Sequence, residues 1–146
     1  MRKNANAKGV RPSIGTISSG LKGAQRDWER GVALVKAGEW LEAEVAFRQA
    51  SDAAPRDVLY LLNLARAQLQ NGALEGAGES ARRIIALEPG NALAHTILAR
   101  ALHKQRRHAE AAAVQANVPA QAPRDAAYYQ DLGEYLFNAG QYKEAI

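Results

Sequence analysis

The chain has 146 residues, no cysteine and a formal net charge of +4. That length fits one domain, and the absence of cysteine excludes disulfides, thiolate metal sites and thiol catalysis. No apolar run approaches the roughly 18 residues of a membrane span, and so mild a positive charge is weak support for nucleic acid as a partner.

Residues 1–22 read MRKNANAKGVRPSIGTISSGLK, a mixture of basic residues, glycine and serine without helical period. This composition predicts a flexible basic leader. It lacks the apolar run that follows the charges of a signal peptide, so the chain reads as cytoplasmic. The next unit, 23–57, predicts helices over 24–36 and 40–53, with Ala37-Gly38-Glu39 as the turn and Gly38 free to take a left-handed cap. Trp40, Ala43, Phe47 and Ala50 fall on one face of the second helix.

The unit 58–91 reads VLYLLNLARAQLQNGALEGAGESARRIIALEPGN. It predicts helices over 58–70 and 74–87, separated by Asn71-Gly72 and closed by Pro89-Gly90. Gly76 and Gly78 interrupt the second helix. They follow no strand and are joined by no lysine-serine pair, so a phosphate loop is a poor explanation; close approach of the next helix is a better one. In the unit 92–125 the first helix covers 92–104. The turn carries Arg106 where its neighbours carry glycine, and the second helix, 108–117, is cut short because Pro119 cannot continue it. Residues 118–123 are expected to be irregular. The unit 126–146 predicts a helix over 126–138, a turn at Gly140, and a second helix that stops at Ile146, as in a fragment of a longer chain.

These units share one ruler. Pro55, Pro89 and Pro123 are spaced 34 residues apart; so are Gly31, Ala65, Ala99 and Gly133, and Ala43, Ala77, Ala111 and Ala145. Asp57, Asn91 and Asp125 stand in the same phase as good helix N-caps. The pattern resembles the tetratricopeptide repeat family over residues 24–146. The resemblance implies an all-α, right-handed α-α superhelix, a solenoid of about three and a half helix pairs. It also implies a protein–protein interaction module whose first helices line a concave groove.

By that phase the groove rows are Val32, Arg66, Arg100 and Glu134; Trp28, Leu62, Thr96 and Gln130; and Val35, Leu69, His103 and Phe137, flanked by Lys36, Gln70, Lys104 and Asn138. Asn63 lies beside them. The middle is cationic and the ends carry Trp28 and Phe137, a residue mix found in binding hot spots. The expected partner is a protein or peptide, an acidic one by the charge of the groove. Two family subtypes fail residue by residue. Trp28, Val32, Asn63, Leu93 and Ile97 stand where heat-shock-chaperone binders clamp a C-terminal carboxylate, and only Asn63 fits. Glu29, Asn63, Ile97 and Asp131 stand where sugar-transferring relatives carry an asparagine ladder, and again only Asn63 fits.

His95 reads as a buried structural histidine. His103 and His108 lie among Lys104, Arg106 and Arg107, whose charges repel a metal ion. No metal, cofactor or catalytic constellation is expected, hence no enzyme. Arg82, Arg83, Arg106, Arg107 and His108 form an outer basic cluster that lacks the aromatics of a nucleic-acid stripe. The competing possibility is the non-catalytic N-terminal arm of a larger bacterial enzyme, such as a sulfotransferase or glycosyltransferase. An incomplete last unit leaves apolar surface on its helix, so a homodimer through that C-terminal end is a further expectation.

Overall fold

The computed structural model describes residues 14–145. Among them are seven helices and no strand: α1 (Ile14–Lys36), α2 (Trp40–Ala53), α3 (Val58–Gln70), α4 (Leu74–Leu87), α5 (Ala92–Lys104), α6 (His108–Ala116) and α7 (Ala126–Ala145). From α1 through α6 consecutive helices pack on one another, and the first helices also meet across the pairs, α3 with α5 and α5 with α7. None of the described helices is long and apolar enough to cross a membrane.

The turns explain why the pairs form. At the first, the amide of Gly38 donates to Val35 and that of Glu39 to Leu34, at 3.0 and 2.8 Å. The second repeats this with Gly72 to Leu69 and Ala73 to Gln68, and the third with Arg106 to His103 and Arg107 to Leu102. This is the Schellman closure, which satisfies two carbonyls at the helix end and needs a left-handed residue. Gly38, Gly72 and Arg106 supply it, with φ of 81°, 78° and 66°. The other connections start helices. The side chains of Asp57, Asn91 and Asp125 accept from the amides of Tyr60, Ala94 and Tyr128, each capping a first helix.

The core between the helices is thin and alanine-rich. Ala43, Ala46, Ala65, Ala77, Ala81, Ala94 and Ala99 are fully buried, with Phe47, Leu61, Ile84 and Ile97 as the larger members. Small side chains let helix axes come close, so the few large ones are tightly held. Phe47 lies over Gly31, where even a methyl group would stand 2.5 Å from the ring. Gln68, which stands where a bulky apolar residue is usual, is buried and accepts from the Ser80 hydroxyl at 2.8 Å. Gly76 makes room for it: a methyl there would meet the Gln68 amide at 2.7 Å. The gap at Gly76 therefore serves the preceding helix, whereas Gly78 faces Leu98 of the following one.

Three expectations need correcting. The leader was to extend through residue 22, but α1 begins at Ile14, so 14–22 continue the first helix; residues 1–13 lie outside the described residues. Once 24–36 is helical, each residue added upstream gains a hydrogen bond without a new nucleus, and this offsets the poor propensity of glycine and serine. The last unit does not turn at Gly140. α7 runs unbroken to Ala145, and Ile146 lies outside the described residues. Extending an existing helix costs less than nucleating a new one from the few residues after Gly140. His95 is half-buried rather than buried, and its Nε2 lies 3.0 Å from the Pro89 carbonyl. The short α6 and the irregular stretch after it are as expected.

Candidate functional site

A cleft of about 320 Å³ opens on the face formed by the first helices. α1 contributes Val35. α3 contributes Asn63, Arg66, Leu69 and Gln70, α5 contributes Arg100, and α7 contributes Gln130, Asp131 and Glu134. Trp40 and Phe47 of α2 form its apolar floor with Val35 and Leu69. Arg66 and Arg100 occupy the same phase of neighbouring helix pairs, so the stacking of α3 on α5 sets them side by side.

Eight of the groove residues expected from the repeat phase meet here: Val35, Asn63, Arg66, Leu69, Gln70, Arg100, Gln130 and Glu134. Trp28 stands one bond away, its indole donating to Asn63 Oδ1 at 2.7 Å while the ring stacks on Tyr60. Val32 is packed into the core cluster with Phe47 and Leu64. Leu62 faces a separate crevice with Leu93, Pro123 and Asp125. Lys36, Lys104 and Phe137 are exposed and do not line the cleft. His103 turns toward α6 and α7: its Nδ1 is 2.9 Å from Nδ1 of His108, and its ring meets Tyr135 edge-on.

Asp131, which the sequence places only at a ladder position lacking its asparagine, is the partner of both groove arginines. It is 1% exposed. One carboxylate oxygen accepts from Arg100 and the other lies 3.4 Å from Arg66 Nη2. Burial pushes its carboxyl above the usual range, and the neighbouring Arg66 and Arg100 pull against that shift. A signal existed. Asp131 shares its phase with Ile97, a buried position, and a buried carboxylate demands a cation. Trp40 and Phe47 were also missed, since they enter from a second helix.

The histidine pair has a different character. Burial, and then the charges of His103 and Arg106, hold His108 below its ordinary value. Among the described residues no three metal-ligating side chains converge. In the outer basic cluster, Arg107 is taken up by Glu110 through two bonds of 2.8 Å.

A sequence model of the tetratricopeptide repeat (TPR) matches residues 29–92 and 79–126. No curated protein matches the chain in sequence. Among solved structures, the Arabidopsis OM64 TPR domain superposes with a TM-score of 0.68 at 19% identity, over 81% of this chain and 98% of that one. The second TPR of Spaghetti (RPAP3), bound to the HSP90 peptide SRMEEVD, gives 0.65 at 21% identity, over 72% and 96%. The Sgt2 TPR domain from Aspergillus fumigatus gives 0.63 at 20%, over 94% and 85%. At such identities these likenesses establish a shared fold, an all-α helical repeat solenoid.

Proposed function

Because the chain belongs to the tetratricopeptide repeat family, we propose that it is a protein-interaction module that receives an acidic peptide segment of a partner protein in the concave cleft. The observation that carries this is the adjacent pair Arg66 and Arg100 above an apolar floor of Val35, Trp40, Phe47 and Leu69. Guanidinium groups recognise carboxylates in a planar, bidentate manner, and an apolar floor gives a neighbouring side chain somewhere to bury. A fold relative bound to SRMEEVD, a peptide with three acidic side chains, supports the class of ligand. The identity of the peptide is another matter. Trp28, Val32, Leu93 and Ile97 offer no cation or amide where the chaperone-tail clamp needs them, so recognition by Arg66 and Arg100 is a different arrangement. The role is binding, with no chemistry assigned. The alternative of an enzyme's non-catalytic arm has no observation of this structure behind it.

A titration with a fluorescein-labelled peptide of glutamate and leucine tests this. Arg66→Gln removes one cation yet leaves Asp131 paired with Arg100, so the fold should survive. We expect affinity to fall about tenfold, the equivalent of about 1.4 kcal/mol, and to weaken with added salt. An unchanged affinity would move the site off the concave face.

A further inference from the structure

The cationic centre of the cleft is already liganded by the protein itself. α7 presents Gln130, Asp131 and Glu134 to the cleft, and Asp131 reaches both arginines. An acidic peptide crossing the groove would offer the same chemistry. The internal match is incomplete: Arg100 Nε and Asp131 Oδ2 are buried without a hydrogen-bond partner. Orphaned polar atoms in a buried ion pair leave part of the desolvation cost unreturned. Burial shifting the Asp131 carboxyl upward against two guanidinium groups points the same way.

We propose that Asp131 is a built-in competitor: it occupies the arginine pair that the cleft offers to an acidic partner, and partner binding requires it to leave. The proposal rests on the reading of the cleft as an acidic-peptide site. A ligand carboxylate that reaches both Nε and Nη of Arg100 satisfies the donor that Asp131 leaves unmet, which gives the exchange its driving force. Asp131 then sets a threshold, since apparent affinity is scaled by the fraction of molecules whose site is open. Tyr135, buried on α7 and edge-on to His103 of α5, keeps the helix docked while the carboxylate exchanges. Glu134, one turn on, adds negative charge to the cleft and so raises the threshold for an entering anion.

The two tryptophans report on the site without a label. Trp40 lines the cleft and Trp28 is bonded to Asn63 of its wall. N-acetyl oligoglutamate is titrated into the wild-type protein and into Asp131→Asn, which keeps the shape of the side chain. The competitor predicts that Asp131→Asn binds about tenfold or more tighter, because the site no longer has to be vacated. A purely structural ion pair predicts equal or weaker binding. Equal or weaker binding by a folded Asp131→Asn overturns the competitor while leaving the cleft reading in place. No binding by either protein overturns both. Hydrogen exchange on the wild type provides a second measure: peptide binding should speed exchange in α7 near Asp131 while slowing it around Arg66 and Arg100. Binding with α7 exchange unchanged overturns the competitor even where the variant fails to fold.

Discussion

At the scale of single residues the fold depends on which side chains are small. Gly31 and Gly78 are both helical glycines, and a propensity scale values alanine above each of them by about 1 kcal/mol. Their surroundings differ. A methyl at Gly31 would stand 2.5 Å from the Phe47 ring, which is itself buried and cannot retreat, whereas one at Gly78 would make ordinary contacts of 3.5 and 3.6 Å with Arg82 and Leu98. Gly31→Ala should therefore destabilise the protein by about 1–3 kcal/mol through overpacking. Gly78→Ala should stabilise it by up to about 1 kcal/mol. Urea unfolding of the pair checks this, and a shift of the same sign in both would show that helix propensity, not the Phe47 contact, governs Gly31. The crossing point was legible in the sequence because Gly31 keeps the phase of Ala65 and Ala99. The partner of Gly76 was not, because nothing in the repeat phase announces that Gln68 would turn inward and bond to Ser80.

At the scale of elements, one register position appears four times, as Gly38, Gly72, Arg106 and Gly140, and behaves in two ways. The first three close a turn with positive φ; Gly140 is an interior residue of α7. A left-handed conformation costs an L-residue about 1–2 kcal/mol, and glycine escapes most of that cost. Arg106→Gly should accordingly raise stability by about 1 kcal/mol, since the Arg106 side chain is exposed and its charge only opposes protonation of His108. Gly140→Ala should also stabilise, by lengthening the run of good helix formers in α7, while the chemically identical Gly72→Ala should destabilise. Thermal unfolding of the three variants distinguishes them; a loss of stability in Gly140→Ala would mean that a turn is sampled there in solution. Helix boundaries in the first three units were legible because proline, N-cap and glycine signals agree in phase. The two ends were not. A repeat pattern predicts what a unit does when a neighbour covers it, and at 14–22 and 139–145 simple extension of a helix competes with the pattern and wins.

At the scale of the whole molecule, the opposite face of α7 raises the question of what meets it. Tyr128 and Tyr135 are buried against the solenoid, but Tyr129, Leu136 and Phe137 are 57%, 55% and 64% exposed. Tyr129 and Leu136 lie seven residues apart, two turns along one face, with Phe137 beside them, so the three make a strip rather than scattered contacts. Exposed apolar strips on an otherwise folded protein seek a mate. A second copy is the mate that is always available, and a twofold axis would set strip against strip. The area is small. Three such side chains offer roughly 400 Å² per molecule, about half of what each partner buries in a stable complex. The expected behaviour is a weak, reversible dimer whose average mass in light scattering rises across a concentration series. Its forces are apolar, so it should persist in high salt, where binding of an acidic peptide to Arg66 and Arg100 should fade. Phe137→Glu should hold the protein monomeric at every concentration without changing peptide affinity, because Phe137 does not line the cleft. A mass independent of concentration in the wild-type protein would leave the strip without a role in self-association.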